Sequence, residues 1–270
     1  MLPKDQWITA NSLSLHYLDW GNPGATPMLL LHGLCSNVHY WDFFAQSMKQ
    51  EYHVLALDQR GHGDSSWAES YTLKDYVLDL EALIAELRLS DLVLIGHSMG
   101  GISAVIYTAR HPEQVSKLII VDIGPEIATA GIERLQRDRA SEPEAFDSEE
   151  EAIRYMRQMQ PRYSDTFIQH QVRYAFRRNK EGKLIFKYDK ALYNIEQHSP
   201  EWLWEYLEQV ICPTLVVHGM ESDVLLAEVA QRVSDTLAFG SVVHIDNAGH
   251  SIPGDNPEAF ELAVRKFLSK

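Results

Sequence analysis

Short, fully apolar runs alternate with helix-patterned stretches along most of this chain, and that alternation limits the fold more than any other feature. Residues 13–20 and 28–32 read as strands, separated by the turn Asn22-Pro23-Gly24. Residues 41–49 read as a helix, and 52–58 (YHVLALD) as a third strand leading into a glycine-rich loop. Thr72 opens the next helix, with Asp75 three residues on completing a capping-box pattern; Leu73, Tyr76, Val77, Leu80, Ile84 and Leu87 share one face. The continuously apolar run 92–95 suits a strand covered on both sides. A helix over 102–110 stops at His111-Pro112, and KLIIVD (117–122) is another buried strand. Near the end come a strand at 214–218, a helix at 228–236, a strand at 241–245 and a closing helix from Pro257. Strands separated by helices imply βαβ units and a parallel sheet with helices on both faces.

The pattern breaks in the middle. From 126 to 209 strand-like runs are scarce, charge and aromatics are frequent, and 147–151 is acidic. Helices are predicted over 150–160 and 166–178, and a short strand over 184–188 after Glu181-Gly182. The segment is best read as an insertion between two strands, placed to cover one end of the sheet. The expected division is therefore a core of 1–125 plus 210–270 and a helical cap of 126–209.

Gly96-His97-Ser98-Met99-Gly100 joins the apolar run 92–95 to the helix that follows. A G-x-S-x-G pattern is only moderately specific alone, but here it sits on a strand–turn–helix junction, as a nucleophile elbow must. A serine hydroxyl at its ordinary pKa needs a base, usually an imidazole oriented by a carboxylate. Of the twelve histidines, His250 follows the strand at 241–245 and so falls at the same sheet edge as Ser98. The others read as structural: His97 beside the serine, His62 in a tight loop, His111 at a helix C-terminus. For the acid, Asp223 after the strand at 214–218 gives the chain order Ser, Asp, His; Asp122, Glu126 and Glu221 compete, with Asp122 second. The backbone N–H of Met99 and that of Leu34, in the loop His32-Gly33-Leu34-Cys35, are the candidate oxyanion donors. Cys35 reads as a small buried residue.

The chain resembles the α/β-hydrolase fold superfamily, in its cap-bearing lipase, esterase and epoxide-hydrolase-like branch. The resemblance rests on His32-Gly33, on 58–65 (DQRGHGDS), on 96–101, on the loop Gly219 to Asp223, and on Asn247-Ala248-Gly249-His250. It implies an eight-stranded, mostly parallel sheet flanked by helices, with a mobile helical cap inserted after the sixth strand. The 58–65 block reads as a structural loop beside the site. Ser98 stands where haloalkane dehalogenases and epoxide hydrolases carry an aspartate, and the 32–35 loop lacks the HGGPG form of proline iminopeptidases.

Such a site predicts acyl transfer to water on small, largely apolar esters or lactones. A C–C bond hydrolase of ring-fission diketones and a ligand receptor that keeps the triad are the competing readings. Candidate substrate contacts are His32 and Gly33 in the oxyanion loop and Tyr163 and Trp202 in the insertion. The net charge of −14 argues against nucleic-acid and anionic-membrane partners. No ligand spacing such as H-E-x-x-H occurs, so neither metal nor cofactor is expected. With two cysteines, no secretory pattern and no bilayer-length apolar run, the expected setting is the cytoplasm.

Overall fold

The computed structural model describes residues 2–194 and 199–270; residues 195–198, inside the 126–209 segment, lie outside it. In chain order the elements are β1 (Lys4–Ala10), β2 (Leu13–Asp19), β3 (Pro27–Leu31), α1 (Asp42–Met48), β4 (His53–Leu57), α2 (Leu73–Glu86), β5 (Leu92–His97), α3 (Met99–Arg110) and β6 (Val115–Val121). The middle segment carries α4 (Thr129–Ala140), α5 (Glu149–Met159), α6 (Asp165–Ala175), β7 (Phe176–Arg178), β8 (Leu184–Phe186) and α7 (Leu203–Leu207). β9 (Thr214–Gly219), α8 (Ala227–Thr236), β10 (Gly240–Ile245), α9 (Ile252–Asp255) and α10 (Pro257–Leu268) follow.

Eight strands form one sheet in the order β1-β2-β4-β3-β5-β6-β9-β10. β2 runs antiparallel to both neighbours, and every pairing from β4 to β10 is parallel. The continuous apolarity of the central strands has a direct cause. In β5, Leu92 and Leu94 pack with α2 and α3 on one face, while Val93 and Ile95 pack with α1 and α10 residues on the other. Burying such a side chain contributes roughly 1.5–3 kcal/mol, so neither face of this strand tolerates a polar residue.

β1, α4, β7, α7 and α9 escape the sequence pattern. β1 is an edge strand whose exposed Trp7 and charged ends hide its alternation. α4 buries only Gly131 and so has no apolar stripe to read. The helix predicted over 166–178 ends at Ala175; Phe176 turns instead into a two-stranded ribbon with β8. Phe176 packs its ring 4.3 Å from that of Phe186, and this satellite cluster beats local helix propensity. α7 also departs from the 126–209 division: Leu203 and Leu207 belong to the main core with α3 and α8 residues.

Candidate active site

β5 ends at His97, and the chain reverses into α3 through Ser98, held at φ 53°, ψ −121°. That left-handed conformation is costly for a residue with a side chain and persists only where its surroundings enforce it. Two glycines allow the turn. A Cβ on Gly96 would overlap the carbonyl oxygen of Gly100, and one on Gly100 would lie 2.6 Å from the carbonyl oxygens of Leu31 and His32.

Ser98, Met99, Leu34 and His250 line one cavity of about 330 Å³ between the sheet edge and the 126–209 segment. The loop bearing His250 is pinned in two ways. His97 donates Nε2–H to the His250 carbonyl at 2.9 Å, and Gly249 donates its N–H to Asp255 at 2.8 Å. Burial, aided by the Arg134 guanidinium, pushes the His250 imidazole down to about 4. His97, whose ring lies 4.8 Å from that of His250, is held neutral by burial.

The partner of His250 is Asp122, and this corrects the expectation for Asp223. The Nδ1–H of His250 donates to Asp122 Oδ2 at 2.8 Å. Asp122 is fully buried at the end of β6, with φ 50°. Ser222 donates its hydroxyl to the same oxygen at 2.5 Å, and the Gly219 N–H donates to Oδ1 at 2.9 Å. The Ser222 oxygen in turn accepts the N–H groups of Val224 and Leu225, which leaves its proton aimed at Asp122. Burial pushes the Asp122 carboxyl up to about 7, against the pull of these two donors. Asp223 is turned into an ion pair with Arg134 of α4, at 2.5 and 2.9 Å. Burial alone would raise its pKa, but Arg134 outweighs that and holds the carboxylate below its usual range. α4 has no sequence signature, so the residue that claims Asp223 was invisible.

The loop after β3 is shaped by neutral histidines. His32 donates Nδ1–H to the Gly33 carbonyl at 2.7 Å and accepts the Gln59 N–H at Nε2. His62 accepts the Cys35 N–H at 3.0 Å. Among the described residues the backbone N–H groups of Leu34 and Met99 donate to no protein acceptor, and both residues face the cavity beside Ser98. Burial pushes the Cys35 thiol up to about 12, which removes it as a nucleophile.

Of the predicted substrate contacts, Gly33 and Tyr163 line the cavity. His32 does not: it is fully buried and spends both ring nitrogens on the loop. Trp202 is 43% exposed and outside the cavity, because it precedes α7, which packs against α3 and α8. Residues missed at the sequence level include Arg134, Glu142, Tyr188 and Tyr193. Tyr188 and Lys190 both bond the Glu142 carboxylate. The cluster joins residues some fifty positions apart, and no local pattern announces it. An alcohol, an imidazole and a buried carboxylate at one rim can together activate a nucleophile, given nearby donors for the charge that develops.

Fold and site define a doubly wound α/β protein with a serine at a strand–helix elbow. The profile of the alpha/beta hydrolase family matches residues 28–263, and the chain belongs to that family. A 3-hydroxybutyrate-oligomer hydrolase of Cupriavidus necator is 29% identical over 93% of this chain and 92% of its own. An esterase of Mycobacterium tuberculosis is 26% identical over 99% of this chain and 90% of its own. The crystal structure of an alpha/beta hydrolase from Novosphingobium aromaticivorans superposes with a TM-score of 0.85 at 26% identity, covering 99% of this chain and 98% of that one.

Proposed function

We propose that this hydrolase cleaves small, largely apolar carboxylic esters or lactones through an acyl-enzyme on Ser98. His250 is the general base, Asp122 orients it, and the N–H groups of Leu34 and Met99 receive the oxyanion. The observation that carries this reading is the arrangement at one rim: a strained Ser98 and His250 lining the same cavity, with Nδ1 of His250 fixed at 2.8 Å by a buried carboxylate. That bond selects the tautomer whose Nε2 carries a lone pair, the form able to take the serine proton.

Attack by Ser98 Oγ on the carbonyl passes the proton to His250 and places negative charge at the N-terminus of α3. His250 then protonates the leaving alcohol, and water attacks the acyl-enzyme by the reverse route. Ile123, Ile127, Met156 and Met159 supply an apolar wall to the cavity, which suits an acyl chain more than a charged one. The relative that bears the name esterase supports the ester class. Helices α4 to α6 form the lid over the rim in this reading.

The test is direct. Ser98→Ala abolishes labelling by a fluorophosphonate and lowers kcat on p-nitrophenyl esters by on the order of 10⁶. Labelling that survives the substitution places the nucleophile elsewhere. A wild-type protein that turns over once and stops is a receptor, not an esterase.

A further inference from the structure

Away from the rim, a second constellation joins the core to the lid. His39 lies in the single helical turn before α1, Asp42 is the first residue of α1, and His170 sits on α6. The His39 Nδ1 and His170 Nε2 approach the same Asp42 oxygen, at 2.8 and 2.9 Å. All three ligand atoms lie within 4.8 Å of one another. The other carboxylate oxygen of Asp42 is buried without a partner.

We propose that His39, Asp42 and His170 bind a transition-metal dication of the Zn²⁺ type. Two imidazole nitrogens and a carboxylate oxygen form a borderline-soft donor set that suits Zn²⁺, Co²⁺ or Ni²⁺ and disfavours Mg²⁺ and Ca²⁺, which take oxygen. Zinc ligated at about 2.0–2.2 Å in tetrahedral geometry sets its ligands somewhat over 3 Å apart, so the two imidazole–carboxylate separations open by a few tenths of an ångström to admit the ion. Each imidazole then turns a ring-nitrogen lone pair inward to the ion and carries a proton on the opposite ring nitrogen. Water takes the fourth position.

Two features set this cluster apart from a chance gathering of polar groups. Its walls are built: His39 stacks on Tyr174 at 3.7 Å, and Phe43 meets His170 edge-on. The side chains are also 12–21% exposed, so an ion has a way in. The comparable group of His16, Asp58 and Asp64 lacks free valence. Its Asp58 oxygens already accept from His16 and from the N–H groups of Val38 and Asp64. With its ligands 128 positions apart, the site escapes any motif search. Filled, it ties α6 of the lid to the core at α1.

Titration of the full-length protein with ZnCl₂ by calorimetry at near-neutral pH tests this. One equivalent binds, and Co²⁺ in its place gives the visible absorption of a tetrahedral ion. His170→Ala and Asp42→Asn each weaken binding at least about tenfold, while His250→Ala, at the rim, leaves it unchanged. Binding that persists in His170→Ala, or that vanishes in His250→Ala instead, overturns the proposal. So does a wild-type protein that shows neither heat nor a cobalt spectrum, a result that needs no variant to fold.

Discussion

At the scale of single residues, two carboxylates compete for one imidazole, and hydrogen bonding decides between them. Asp122 holds His250 directly, whereas Asp223 is committed to Arg134. Asp122→Asn therefore lowers kcat by about 10³–10⁴ through the wrong tautomer, and Asp223→Asn has a far smaller effect. Steady-state kinetics on one ester compares them; the reverse ranking returns the role to Asp223. The same surroundings set the pH response. A base is active when neutral, and burial depresses the pKa of His250 to about 4. Asp122, bonded to it, is raised at the same time to about 7. The two titrate as one coupled pair, and the acid limb of kcat/KM falls between about 4 and about 7; a profile flat across that range contradicts a titrating pair. Ser98 and His250, the proposed nucleophile and base, were legible because each sits in a short local pattern after a strand. The acid was not, because two strands offer a carboxylate at the same edge. What selects between them is a helix with no apolar stripe.

Among elements, those with a periodic signal were readable and those without it were not. β5 and α2 announce themselves by continuous and helical apolarity. α4 and β1 are held by tertiary contacts instead, and β7 forms where the sequence favours more helix. Of these silent elements α4 lines the cavity, with Arg134 and Asp138 among its residues, so part of the polar lining was hidden while the rim was visible. The wall formed by α5 carries a prediction. Met159→Trp fills the apolar part of the cavity and lowers kcat/KM for long-chain p-nitrophenyl esters about tenfold relative to the acetate. A uniform loss across chain lengths would show that Met159 does not bound the acyl chain.

For the molecule as a whole, charge burial links stability to acidity. His62 is buried and neutral, its pKa pushed down to about 3 by loss of solvent; burial lowers His32 and His97 as well. The unfolded chain binds protons at these positions below about pH 6.5 while the folded one does not. Stability is thus intact above that pH and drains away as pH falls toward 3. His62 alone accounts for about 2 kcal/mol lost at pH 5. His16, whose pKa is raised beside Asp58, works in the opposite direction at higher pH. Urea unfolding between pH 8 and 5 checks the balance, and a midpoint that rises on acidification contradicts it.

The supports of Asp122 come from different stretches of chain: Gly219 at the end of β9 and Ser222 after it, His250 after β10, with the carboxylate itself just past β6. Such a distributed arrangement resists transplantation. Replacing the 219–223 loop with one lacking a hydroxyl at 222 would keep the backbone donor at 219 but strip the side-chain donor from Asp122. Loop grafting in this scaffold therefore has to exchange the β6 and β9 termini together, as one unit of inheritance.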